Sequence, residues 1–203
     1  MRRYKVNEIF LSVQGEGARQ GDPSVFVRFT GCNLRCAVEP GPRSPGGFDC
    51  DTEFMSGRWL DEDQLVNEIA ATAKGCYWLV LTGGEPLLQV DEDLTMLLKG
   101  CGYNLALETN GTRRIPAGFD WVAVSPKVAE HAVRAQYADE LRYVRGYGQA
   151  IPRPARIAQR YFLSPAFDGN EIEPRTVEWC RKLCEEHPRW ELSIQQHKLQ
   201  QIR

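Results

Sequence analysis

Three cysteines near the start of the chain, Cys32, Cys36 and Cys50, carry the strongest chemical signal in its 203 residues. They lie in a polar stretch rich in glycine and proline, a poor setting for cysteines that serve only as small buried hydrophobes. A thiolate is a soft ligand that suits iron–sulfur clusters and zinc. Clusters usually take four thiolates, so three leave one iron open. An open iron in a four-iron cluster can chelate the amino and carboxylate groups of S-adenosylmethionine, whose sulfonium bond a single electron then breaks. The competing zinc module needs a histidine to close a tetrahedral site; the cysteine loop holds none, which leaves His131, His187 or His197. Of the other cysteines, Cys180 and Cys184 are one helical turn apart beside Trp179 and Leu183 and read as partly buried helix residues, while Cys76 and Cys101 flank glycines at element edges.

Polar clusters recur after the cysteines: Thr82-Gly-Gly-Glu-Pro86, Glu108-Thr-Asn-Gly111, Ser125-Pro-Lys127 and Asp168. Each follows a run that reads as a strand. Ser24–Phe29 leads into Thr30 and the cysteines, Tyr77–Thr82 into the glycines, Asn104–Glu108 into the asparagine, and Asp120–Val124 into the serine and lysine; further strands are expected at Glu140–Val144 and Arg160–Ser164, with a last extended piece at Trp190–Gln195. Helices are expected from Asp61, whose carboxylate can cap while Gln64 reaches back and Leu65, Ile69 and Ala73 share a face, from Asp91 to Lys99, and from Arg175 to Glu186. Strands separated by crossovers imply an α/β fold with a mostly parallel sheet, doubly wound or rolled into a partial barrel. In either form ligands bind at the carboxyl ends of the strands, where these clusters fall.

The bulk composition excludes other classes. With 25 basic against 27 acidic residues the formal charge is -2, which argues against a nucleic-acid-coating surface. No apolar run approaches membrane-spanning length, and the charged N-terminus has no apolar core of a signal segment behind it, so a cytoplasmic location is expected. The odd cysteine count disfavours a disulfide framework.

In order along nearly the whole chain, Gln14-Gly-Glu-Gly17, the cysteine loop ending in Cys50-Asp-Thr52, the Thr82–Pro86 and Glu108–Gly111 runs, Ser125–Lys127 and Gln195-Gln-His-Lys198 together resemble the 7-carboxy-7-deazaguanine synthases, radical S-adenosylmethionine enzymes. The resemblance implies a single modified radical S-adenosylmethionine domain over residues 1–203, a partial β/α barrel of about six mostly parallel strands with an irregular cluster loop at 31–52. It implies a lyase that contracts the ring of 6-carboxy-5,6,7,8-tetrahydropterin to 7-carboxy-7-deazaguanine with loss of ammonia, on the way to 7-deazapurines such as queuosine. A 4Fe-4S cluster, S-adenosylmethionine and Mg2+ follow as cofactors, and a homodimer, a one-electron donor and no direct nucleic-acid or membrane contact as partner relations. Another small radical enzyme, such as a glycyl-radical activase, would share the cysteines and glycines but has no use for the remaining motifs.

Carried over position by position, Cys32, Cys36 and Cys50 would hold the cluster and Thr52 the magnesium. Asp49, Gly83, Gly84, Glu85, Ser125, Pro126, Lys127, Phe167 and Asp168 would contact S-adenosylmethionine. Val13, Gln14, Gly15, Glu16, Arg28, Thr82, Glu108, His197 and Arg203 would contact the substrate. Physical reasons accompany several of these roles. The glycines allow backbone carbonyls to approach the methionine ammonium, with Glu85 as an added acceptor. A carboxylate is the matching acceptor for adjacent N–H donors on a pterin edge, Glu108 first and Glu16 second. The Arg28 fork suits the substrate carboxylate, although the SVFVRF pattern leaves its face open. No side chain beyond the cluster and S-adenosylmethionine is assigned to the chemical step. Three departures from the family pattern stand out: the long cysteine gap lies between Cys36 and Cys50, Asp49 replaces the usual aromatic with Phe48 one position earlier, and near the sixth strand the family's Gln-Pro pair is absent, with only Phe167, Asp168 and Gly169 in comparable places.

Overall fold

The computed structural model describes residues 2–36, 50 and 52–202. Strands β1 (Arg3–Val13) and β2 (Pro23–Phe29) form a hairpin, and β3 (Arg58–Asp61) pairs with the outer side of β1. Helix α1 (Glu62–Ala73) leads to β4 (Trp78–Gly83), and α2 (Glu92–Gly100) to β5 (Asn104–Thr109). Then come β6 (Trp121–Val124), β7 (Glu140–Arg145), β8 (Arg160–Pro165) and a small β9–β10 hairpin (Phe167–Asp168, Glu171–Ile172). Helix α3 (Pro174–Glu186), β11 (Glu191–Leu192) and the short α4 (Gln196–Leu199) complete the described chain.

The main sheet has nine strands in the order β11-β8-β7-β6-β5-β4-β2-β1-β3. Every pairing from β2 to β11 is parallel, and β1 pairs antiparallel on both sides. The six expected strands are therefore neighbours in the middle of a larger sheet, which is open and has β3 and β11 as its edges. Two added strands, β1 and β3, had no clear sequence signal. In β1 the pairing shifts between Val6 and Glu8, so the inward alternation of Tyr4 and Val6 is lost before Ile9-Phe10-Leu11, the mark of a bulge. β3 is four residues long and half exposed.

Period-two alternation assigns the faces. Val25, Val27, Leu79, Leu81, Leu105 and Leu107 join the large apolar cluster that also takes Leu65 and Ile69 of α1 and Leu94 and Leu98 of α2. The intervening Phe26, Val80 and Ala106 form a second cluster with Phe10, whose ring stacks on Phe26 at 5.2 Å. Burial on both sides explains why these strands read as continuous apolar runs. Helix α1 opens with the expected reciprocal cap: the Asp61 carboxylate accepts from Gln64 N at 2.9 Å and the Gln64 side chain accepts from Asp61 N at 3.0 Å. On α3, Cys180 is fully buried and Cys184 half buried, as a packing role requires.

A candidate active site at the carboxyl edge of the sheet

Because β2 and β4 to β8 run parallel, their carboxyl ends deliver the polar clusters to one edge. A cavity of about 660 Å³ opens there. Cys32, Cys36, Cys50 and Thr52 line it on the side of β2. Gly83, Gly84 and Asn110 lie next to them, and Ser125, Pro126, Lys127 and Phe167 line the far side. Glu16, Thr82 and Glu108 face the same space. Asp49, its neighbour Phe48 and the terminal Arg203 lie outside the described residues.

The two glycines explain how the cysteine loop is seated. A Cβ on Gly83 would overlap the Phe29 backbone, and one on Gly84 would overlap the carbonyl oxygen of Gly31. Gly83 also takes φ +124°, a conformation that favours glycine. The backbones are stitched together by Gly84 N to Phe29 O at 3.2 Å and Glu85 N to Gly31 O at 2.8 Å, while Gly31 N donates to Phe54 O at 2.8 Å on the returning chain. Cys32 is thereby fixed at the end of β2. Its sulfur accepts from Leu34 N at 3.4 Å and from the Asn110 amide at 3.9 Å; burial nevertheless pushes its thiol up from the ordinary value.

Glu85 differs from its expected role. Its side chain is completely buried and does not reach the cavity. The carboxylate accepts from Leu87 N, the Thr109 hydroxyl and Asn110 N at 2.8 to 3.1 Å, so it ties the glycine turn to the end of β5. Burial pushes this carboxyl up, and the same donors pull against that shift. What the glycine turn leaves to a ligand is backbone.

The acidic floor is built by register. Arg28, Thr82 and Glu108 stand in one row on the face that also carries Phe26, Val80 and Ala106, since Arg28 pairs with Thr82 and Leu81 with Leu107. That settles the face of Arg28, but its guanidinium turns to Glu8 at 2.9 Å rather than into the cavity. Glu108 Oε1 accepts from the Gln14 amide at 3.0 Å and from Arg142 at 2.8 Å, and Oε2 from the Thr82 hydroxyl at 3.1 Å. Burial alone would raise the Glu108 carboxyl; the Arg142 charge and these donors hold it below the usual carboxylate value.

The remaining expected contacts separate into supports and outliers. Gly15 is buried under the C-terminal segment: Gln196 N donates to its carbonyl at 3.0 Å, and a Cβ there would overlap the His197 ring. His197 thus backs the loop instead of lining the cavity. Val13, at the end of β1 opposite Pro23, and Asp168, exposed in the β9–β10 hairpin, do not line it either. Sequence reasoning missed Arg142 and Glu140, and it quoted Asn110 and Gln195 only within motifs, without a role. The usable signal was Glu140-Leu-Arg142, two charges at strand spacing in the interior of a parallel sheet, where apolar residues are the norm.

Three thiols on one cavity form a donor set that a thiolate-held cluster can use. Among the described residues no three His, Cys, Asp or Glu side chains are grouped as ligands of a single metal, yet all three cysteines line one cavity. Among the described residues no histidine lines it.

No protein-family model matches the chain. It is 40% identical over 216 residues to 7-carboxy-7-deazaguanine synthase of Bradyrhizobium diazoefficiens, covering 98% of this chain and 99% of that one. Its identity to the protein of that name from Bacteroides thetaiotaomicron is 38% over 200 residues, 98% of each chain. The crystal structure of QueE from Escherichia coli matches with a TM-score of 0.67 at 25% identity, over 96% of this chain and 95% of that one. With almost every residue aligned at such identity, the chain belongs to the 7-carboxy-7-deazaguanine synthase family.

Proposed function

We propose that this protein converts 6-carboxy-5,6,7,8-tetrahydropterin to 7-carboxy-7-deazaguanine with loss of ammonia, by radical S-adenosylmethionine chemistry in a 7-deazapurine pathway of the queuosine type. The observation that carries the reading is the meeting, in one cavity, of Cys32, Cys36 and Cys50 with the carboxylates of Glu16 and Glu108.

In this reading the three cysteines hold a 4Fe-4S cluster, which when bound supplies the electron that cleaves S-adenosylmethionine. The backbone at Gly83 and Gly84 receives the methionine ammonium, and Ser125 and Lys127, 2.8 Å apart, receive the ribose and carboxylate, with Pro126 and Phe167 bordering that side. Glu108 and Glu16 accept from the pterin N–H edge, while Gln14 and Gly15 shape the loop that carries Glu16. Thr52 offers a hydroxyl oxygen to Mg2+, a hard cation that takes few protein ligands and keeps water or substrate oxygen for the rest. The reading carries with it a single catalytic domain forming a partial barrel, a homodimer, an external one-electron donor and a free small molecule as substrate in the cytoplasm. Among the described residues no helix is long and apolar enough to cross a membrane.

The test is anaerobic reconstitution with iron and sulfide, then incubation with reductant, S-adenosylmethionine, Mg2+ and 6-carboxytetrahydropterin. Formation of 7-carboxy-7-deazaguanine and ammonia is the expected result. A four-iron cluster without that product would overturn the substrate assignment alone, and retention of iron after each of Cys32→Ala, Cys36→Ala and Cys50→Ala would overturn the cluster assignment.

A further inference from the structure

Arg142 of β7 is 5% exposed, and its guanidinium meets three carboxylates. Nη2 donates to Glu108 Oε1 at 2.8 Å, Nη1 lies 3.2 Å from Glu16 Oε2, and Nε lies 3.0 Å from Glu140 Oε1. An arginine commonly gives both ends of its fork to one carboxylate. Here the two ends go to different carboxylates, one on the Gln14–Gly17 loop and one on β5.

Each of those carboxylates has its other oxygen held by a neutral donor. The Thr82 hydroxyl takes Glu108 Oε2 at 3.1 Å, and the Gln195 amide takes Glu16 Oε1 at 2.9 Å. Neutral donors orient an acid without cancelling its charge, so Glu16 and Glu108 keep their carboxylates turned to the cavity they line. Glu140 anchors the assembly from behind: its charge lies beside Nε without a hydrogen bond there, and it accepts from Ala18 N at 2.8 Å and packs against Gly17, where a Cβ would overlap its carboxylate.

We propose that Arg142 is a positioning residue for the substrate, its rigid fork setting the separation of Glu16 and Glu108 so that both carboxylates accept from the N–H edge of the pterin ring. The inference rests on the reading of the cavity as a pterin site. Lysine cannot replace arginine in this role, because an ammonium is a compact point charge that does not span two acceptors in a fixed plane.

The test uses the reconstituted enzyme and Arg142→Lys. The expected result is a KM for 6-carboxytetrahydropterin raised about tenfold or more, the worth of a charge-assisted hydrogen bond, with a much smaller fall in kcat. Reductive cleavage of S-adenosylmethionine without pterin should be unchanged. The preference for the natural substrate over an analogue lacking the 2-amino group should shrink by a similar factor. A folded, cluster-loaded variant with unchanged KM and unchanged preference overturns the proposal, as does a loss of pterin-free cleavage in step with KM, which marks a merely structural role. If Arg142→Lys does not fold, Glu140→Gln releases one side of the guanidinium while leaving the fork; a weakened preference for the 2-amino group supports the proposal, and an unaltered one overturns it. A wild-type enzyme that loads its cluster but turns over no pterin overturns the functional reading and this inference with it.

Discussion

Glu108 shows how a single carboxylate in the cavity is kept ready to accept. Its pKa lies below the usual carboxylate value because Arg142, Gln14 and Thr82 outweigh the effect of burial. As pH falls, the unfolded chain therefore takes up this proton before the folded one does. The stability that the pair contributes is present above the unfolded carboxylate value and is lost as pH drops through the lower, folded one. Urea titrations over an acidic pH series should show Glu108→Gln losing less stability on acidification than the wild type. Glu108 itself was legible as a carboxylate at a strand end. Its partner Arg142 left only the signal of two charges at strand spacing, a pattern that an edge exposed to water would share, and the pairing of β7 is what places it beneath the Gln14–Gly17 loop.

At the scale of elements, what matters is how ends are finished. Helix α1 was readable down to its cap, because a reciprocal cap is a local arrangement written in adjacent residues. Asp61→Ala should cost about 1 kcal/mol in urea denaturation and leave the iron content of the reconstituted protein unaltered. The turn after β4 is the contrary case. Its glycines were legible as a place of close approach, but what approaches most closely is the chain between Phe29 and Cys32, which comes from a different strand. Gly84→Ala should leave the far-ultraviolet circular dichroism spectrum near that of the wild type and lower the iron bound on anaerobic reconstitution by about half or more, since the added methyl group displaces the root of the cysteine loop by a methyl's width.

Across the whole molecule, the C-terminal segment closes the site from a distance of many residues in sequence. β11 adds a strand beside β8, after which Ser193 accepts from Gly17 N at 2.9 Å, Gln195 donates to Glu16 and Gln196 donates to Gly15. Removing residues 195–203 should raise the pterin KM about tenfold or more, by the loss of the Gln195 and Gln196 bonds that hold the loop. Pterin-free cleavage of S-adenosylmethionine should persist, because among the described residues of that segment only Gln195 lines the cavity. The parallel centre of the sheet was legible because strands buried on both faces are apolar throughout. The antiparallel margin was hidden by the bulge in β1 and by the brevity of β3.

The clasp at Gly31 also bears on how this family can vary. Gly31 N is bonded to Phe54 O and Gly31 O to Glu85 N, so the segment that starts at Cys32 leaves from and returns to points already fastened to each other. Closing a loop whose ends are held costs entropy only as the logarithm of its length, about 0.6 kcal/mol for each doubling. Residues can therefore be gained or lost between the first and last cysteines at little thermodynamic cost, while the frame that receives them stays put. By that scaling, the length of the interval between Cys36 and Cys50 weighs little against the attachment points at Gly31, Phe54 and Glu85.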